Sequence, residues 1–265
     1  MKQLLFIGAG NMAEAIVNGL VSSKAPFACR AVDLDPARLE LFARSYGVGG
    51  SQDLPAEVGR ADIVLLATKP QQALEVLSSV ASVWSADKLL ISICAGLRSD
   101  KLETAVGQGA RVVRVMPNTP SLVGLGAAAL SRGGHASDAD LEVAAAILAS
   151  TGITVTVPES DMDAVTAVSG SGPAYVFYLA EAMLAAAAEL GLDGATASSL
   201  VAQTIEGAGR MIRQTGLPPD ELRRRVTSKG GTTAAAIAVL DGHFVRQHIQ
   251  DALDAAAKRS RELAG

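Results

Sequence analysis

Apolar positions change period along this chain. They run unbroken over residues 3–7, the mark of a short buried strand. After Gly8, Ala9 and Gly10 they return at Met12, Ala15, Ile16 and Gly19, the spacing of one helix face over residues 11–21. Further apolar runs at 27–33, 61–67, 88–93 and 111–116 predict four more strands, and the nearly continuous apolarity of 61–67 suits a parallel sheet covered on both faces. A helix over 36–46 follows the second strand, with Asp35 as its N-cap and Pro36 in its first turn. Strands at 125–130 and 153–157 around a helix at 138–150 complete this part. From Glu159 onward no strand pattern remains. Residues 173–190 carry Val176, Ala180, Met183, Ala187 and Leu190 at helical spacing with almost no polar face. Such a helix needs cover on nearly every side. Packing against a second copy of the chain supplies it; an ordinary core helix of a monomer is the alternative.

The first apolar run stops at Gly8-Ala-Gly-Asn-Met-Ala13, between a strand and a helix. In a dinucleotide-binding unit Gly8 would permit the sharp turn, Gly10 would let a pyrophosphate approach the backbone, and Ala13 would allow close helix packing. The helix amides would face the phosphates. Asp33 lies about 20 residues beyond the turn, where a strand-end carboxylate meets the adenosine ribose. Its charge disfavours a 2′-phosphate and so favours NADH, unless Arg38 folds back to offset it. Asp35 either contacts the cofactor or serves only as the helix cap. Lys69, in Thr68-Lys69-Pro70, and the small residues Ala95 and Gly96 stand at the ends of later strands, on the rim where ligands bind. Asn118 follows the fifth strand in the proline-containing loop 117–120.

The chain has 265 residues and a formal net charge of −4, with no basic cluster larger than Arg223-Arg224-Arg225, so nucleic acid is not an expected partner. Cys29 and Cys94 lie apart in apolar runs, which predicts free thiols and a reducing compartment. Neither a signal sequence nor a membrane span is read, so a cytoplasmic protein is expected. His135, His243 and His248 show no ligand spacing, and no metal is expected.

Two glycine-rich helix starts stand out in the C-terminal part. Ser169-Gly-Ser-Gly-Pro173 leads into the long apolar helix, and Ser228-Lys-Gly-Gly-Thr-Thr233 into a helix at 234–240. Each would offer amides and hydroxyls to a small anion; the alternatives are a close helix crossing for the first and a plain threonine cap for the second. Extended to Asp241, the second stretch resembles the C-terminal signature of the pyrroline-5-carboxylate reductase family. The motifs Gly8-Ala-Gly-Asn-Met-Ala13, Ala67-Thr-Lys-Pro70, Arg114-Val-Met-Pro-Asn-Thr-Pro120 and Asp163-Ala-Val-Thr-Ala-Val-Ser-Gly-Ser-Gly-Pro-Ala-Tyr175 resemble that family in the same order.

The resemblance implies an α/β fold, with an N-terminal Rossmann-type doubly wound sheet over 1–158 and a C-terminal all-α dimerisation and substrate-binding domain over 159–265. It implies reduction of L-1-pyrroline-5-carboxylate to L-proline with NADPH or NADH, by dimers or rings of dimers. In its terms Thr233 hydrogen-bonds the substrate ring nitrogen. Glu159, Ser171, Gly231, Thr232 and Ala234 line the substrate pocket. Ile7, Gly8, Ala9, Gly10, Asn11, Met12, Asp33, Asp35, Thr68, Lys69, Pro70, Ala95, Gly96 and Asn118 form the cofactor site. The sequence departs from the family at 51–54, where an adenosine-side asparagine is missing, and at Arg225 and Thr232. A related imine or hydroxyacid oxidoreductase and a non-catalytic NAD(P)-binding regulator remain alternative readings. Against the hydroxyacid form stands the absence of a lysine from the long apolar helix, since the lysines after Thr151 are Lys229 and Lys258.

Overall fold

The computed structural model describes residues 1–107 and 109–264. Its elements in order are β1 (Lys2–Ile7), α1 (Asn11–Ser22), β2 (Phe27–Val32), α2 (Pro36–Tyr46), β3 (Gly49–Ser51), α3 (Leu54–Arg60), β4 (Ile63–Leu66), α4 (Pro70–Ser79), β5 (Leu89–Ser92), α5 (Ser99–Val106), β6 (Arg111–Met116), β7 (Gly126–Arg132), α6 (Asp138–Leu148) and β8 (Gly152–Thr156). The helical part follows: α7 (Met162–Val165), a π-helical turn (Thr166–Gly170), α8 (Gly172–Glu189), α9 (Gly194–Thr215), α10 (Pro219–Arg225), α11 (Thr232–Gly242) and α12 (Val245–Ala264).

Among the described residues the strands form one sheet in the order β3-β2-β1-β4-β5-β6-β7-β8. All pairings are parallel except β6 with β7. Strand order reverses beside β1, between chain steps toward β2 and toward β4, which opens a crevice at the carboxyl ends of those strands. β1, β4 and β5 are apolar because helices cover both faces, and two buried clusters result. One holds Leu4, Phe6, Ile16, Phe42 and Leu65, the other Leu5, Ile7, Val64, Leu66 and Leu90. Alternate residues of each strand supply opposite faces.

Two features differ from the sequence expectation. β3 is an additional edge strand, so the strands expected third, fourth and fifth are β4, β5 and β6. Its residues Gly49, Gly50 and Ser51 have no strand propensity of their own and are held by pairing to Arg30, Ala31 and Val32. The stretch 169–173 is not a free turn either. Ser169 and Gly170 close a π-helical turn and Gly172 and Pro173 begin α8, with the Ser171 amide donating to the Thr166 carbonyl at 2.8 Å. A Cβ on Gly170 would collide with the Met116 side chain at the end of β6, so the glycine marks close packing of this turn against that strand.

The chain divides into two compact units, one of residues 1–171 with the segment from Ala256 onward, the other of residues 172–255. In the second unit α8 and α9 pack on each other. Their cover is incomplete: Ala187 is the buried residue of α8, while Phe177, Tyr178 and Leu190 are 59%, 75% and 83% exposed. A single copy thus leaves large apolar side chains in water, at a cost of about 1.5–3 kcal/mol for each that association could bury. Sedimentation equilibrium is expected to give a mass of at least a dimer at micromolar concentration; a stable active monomer would contradict this reading.

Candidate functional site

The glycine turn is built by three local constraints. Gly8 adopts φ +95°, and a Cβ there would lie 2.7 Å from the Ala67 carbonyl oxygen, so β1 can leave the sheet this tightly only with glycine. Gly10 is extended, and a Cβ on it would meet no atom within 4 Å; the space above it is open. No side chain caps α1. Its first amides, at Asn11, Met12 and Ala13, therefore face that space without intrahelical partners, at the positive end of the helix. An open cradle lined by uncapped amides fits a phosphate group.

Ala9 is gripped from both sides. Its amide donates to Asp33 Oδ2 at 2.6 Å, and its carbonyl accepts from Arg38 Nε at 2.6 Å. The second oxygen of Asp33 accepts from the Asp35 amide at 2.9 Å. Asp35 in turn caps α2 by accepting from the Ala37 amide at 2.9 Å, which is the capping role weighed from the sequence. Gln52 donates to the Leu34 carbonyl at 2.9 Å, tying the loop after β2 to the segment where the family's asparagine was missed.

The later rim residues fall beside this turn because their strands are neighbours in the sheet. Thr68 and the exposed Lys69 follow β4, with Lys69 at the N-cap of α4 and Pro70 in its first turn. Ala95 and Gly96 follow β5. The buried Cys94 thiol is directed at the Thr68 carbonyl, 3.3 Å away, and burial pushes it above the ordinary thiol range. Gly96 has φ +76° and lies against Leu263, a neighbour that sequence reading missed because the two are far apart in the chain.

Asn118 is occupied within the protein. Its Oδ1 accepts from the Ala127 amide at 2.8 Å, and its Nδ2 donates to the Ser169 carbonyl and hydroxyl, both at 3.3 Å. It pins the loop after β6. Glu159 is likewise committed. Oε1 accepts from the Ser99 amide at 2.7 Å and from Arg114 Nη1 at 2.5 Å, and Oε2 from the Ser99 hydroxyl at 2.5 Å. The carboxylate thus caps α5 and neutralises Arg114, which is 8% exposed. Burial alone would raise the Glu159 carboxyl, but these hydrogen bonds and the guanidinium charge outweigh it and hold the group below the ordinary carboxylate range. Neither partner was legible from the sequence.

In the second unit Gly231 precedes α11, again with no side-chain cap, and Gly230 has φ +74°. The amides of Thr232, Thr233 and Ala234 are those without intrahelical partners. Thr233 and Ala234 are half-buried, Thr232 exposed. Ser171 belongs to the first unit, and its amide is spent in the π-helical turn. The described residues contain no cluster of histidine, cysteine and carboxylate side chains able to hold a metal ion.

Comparison with known proteins gives consistent matches along the chain. Residues 159–263 match the family model described as pyrroline-5-carboxylate reductase dimerisation, and residues 3–96 the model described as NADP oxidoreductase coenzyme F420-dependent. A pyrroline-5-carboxylate reductase from Pseudomonas aeruginosa is 41% identical over 99% of this chain and 97% of its own length. Among solved structures, a pyrroline-5-carboxylate reductase from Coxiella burnetii superposes with a TM-score of 0.93 at 36% identity, covering 100% of this chain and 99% of that one. A Plasmodium falciparum pyrroline carboxylate reductase with NADP bound gives 0.88 at 30% identity, covering 100% and 98%.

The Glu159 network makes a prediction whose sign follows from the lowered carboxyl. A group with a depressed folded-state pKa stabilises above its unfolded value, about 4.3, and loses that contribution as pH falls through the folded value. Glu159→Gln is expected to lower unfolding free energy by about 2–3 kcal/mol at neutral pH, since it leaves Arg114 buried without its counter-charge. In urea titrations the gap from the unsubstituted protein should narrow below about pH 4. A pH-independent gap would remove the carboxylate charge from this account.

Proposed function

The chain belongs to the pyrroline-5-carboxylate reductase family, and from that we propose how its own residues serve the reaction: NAD(P)H-dependent reduction of L-1-pyrroline-5-carboxylate to L-proline, the last step of proline biosynthesis. The observation that carries the reading is 41% identity over 99% of this chain and 97% of a reductase's length, which leaves no domain of that relative unmatched. The cradle over Gly10 suits the coenzyme pyrophosphate, and the uncapped amides of Asn11 and Met12 would hold it. Asp33 would accept from the adenosine ribose hydroxyls. Thr68, Lys69, Ala95 and Gly96 would line the nicotinamide side. NAD(P)H, when bound, supplies the hydride.

The substrate asks little of an acid catalyst. A protonated imine already carries positive charge, and reduction removes it, whereas reduction of a ketone builds negative charge on oxygen that must be quenched. A hydroxyl is therefore adequate, and we assign Thr233 to hydrogen-bond the ring nitrogen. The amides of Thr232, Thr233 and Ala234 would fix the substrate carboxylate at the start of α11. Orientation of this kind is worth about 7 kcal/mol or more when the geometry is near ideal. Glu159 takes a positioning role, because its carboxylate oxygens already serve Ser99 and Arg114.

The chain functions as a homodimer through its dimerisation domain, consistent with the exposed apolar side chains of α8. The family resemblance extends this to rings of dimers. Among the described residues no helix is long and apolar enough to cross a membrane. Both cysteines are free thiols, which suits a reducing compartment, and we place the enzyme in the cytoplasm.

With 1-pyrroline-5-carboxylate and a panel of ketoacids and other cyclic imines, NAD(P)H oxidation is expected only or chiefly with the first. Thr233→Ala should lower kcat/KM by about 10- to 100-fold, the value of a hydrogen bond to a charged group, with coenzyme binding and melting temperature unchanged. Turnover equal to that of the unsubstituted enzyme would remove Thr233 from the mechanism, and preference for a ketoacid would overturn the substrate assignment.

A further inference from the structure

Arg38 reaches back from α2 to the glycine turn and is held there on several sides. Besides its bond to the Ala9 carbonyl, Nη2 donates to Glu14 Oε2 at 2.6 Å. The other oxygen of Glu14, on the first turn of α1, accepts from the Tyr46 hydroxyl at 3.0 Å. The Arg38 guanidinium also lies over the Phe42 ring, 5.9 Å from its centre. The two charged side chains are 26% and 24% exposed, so their pairing is shielded from solvent more than a surface bridge is. The ring of Phe42 is fully buried and in edge contact with Tyr46, which makes this support rigid.

NADH and NADPH differ by a single 2′-phosphate on the adenosine ribose, and that group calls for a cation free to meet it. Just beyond β2 stands Asp33, whose charge opposes a phosphate, and on α2 Arg38, whose charge is already matched by Glu14. Recruiting Arg38 would mean breaking its bridge to Glu14 and its bond to Ala9, and the latter shapes the turn that holds the pyrophosphate.

We propose that Glu14 determines coenzyme choice in this chain: by holding Arg38 against Ala9 it withholds the arginine from a 2′-phosphate and leaves NADH the tighter ligand. The proposal rests on the reading of the glycine turn as a nicotinamide-dinucleotide site. Glu14 is a positioning residue, acting through Arg38 and without touching the coenzyme.

The test is equilibrium binding of NADH and NADPH to the full-length protein without substrate, by titration calorimetry or fluorescence. The unsubstituted protein is expected to bind NADH more tightly. In Glu14→Gln the ratio Kd(NADPH)/Kd(NADH) should fall by about five-fold, the value of one released ion pair. Tighter binding of NADPH by the unsubstituted protein, or an unchanged ratio in a folded Glu14→Gln protein, would overturn the proposal. Should that variant fail to fold, Arg38→Gln gives an independent reading. Weakening of both coenzymes together is expected, because the arginine shapes the turn; selective loss of NADPH would show that Arg38 already serves the phosphate and would overturn the proposal. Absence of binding by either coenzyme to the unsubstituted protein would instead defeat the dinucleotide reading itself.

Discussion

The grip on Ala9 is the constraint from which the coenzyme end of this protein follows. A glycine-rich turn is free to take many shapes, and fixing one residue in a single backbone well costs about 1–2 kcal/mol. Here the Ala9 amide is held by Asp33 and its carbonyl by Arg38, so the turn is ordered by the next strand and helix before any ligand arrives. Those anchors are themselves fixed, Asp33 by the Asp35 amide and Arg38 by Glu14. The result is a cradle of uncapped amides whose shape does not have to be formed at the moment of binding, which is how preorganisation improves affinity.

The same logic recurs in the other structural features near the rim. Glu159 caps α5 and neutralises Arg114, and Asn118 ties the β6 loop to Ala127 and Ser169. Polar side chains that a sequence reading assigns to ligands also hold the loops that carry them. In the helical unit the start of α11 keeps its amides uncapped. This division suits reduction of a charged imine, which asks for orientation more than for acid catalysis.

Much of this was legible in the residues. The strand, turn and helix around Gly8 and Gly10 were marked by abrupt changes of apolar period, and the rim residues by their places at strand ends. The motif at Thr232 and Thr233 pointed to the family, and the comparisons agree. What was not legible depends on distant partners. β3 has no strand-forming side chains and exists through pairing with β2. The π-helical turn at Thr166–Gly170 packs closely on Met116 of β6, and a run of Ser and Gly reads equally well as a loop. Glu14 on its own is an ordinary first-turn acid; its importance comes from Arg38, Tyr46 and Phe42, which only the fold brings to it.

The claim that the turn is ordered by Asp33 is most directly tested by amide hydrogen exchange at Ala9 in the coenzyme-free protein, followed by nuclear magnetic resonance. The account predicts strong protection of that amide and its loss in Asp33→Ala, with the core strands β1 and β4 still protected. Exchange at the rate of an unstructured peptide in the unsubstituted protein, or protection untouched by the substitution, would contradict it.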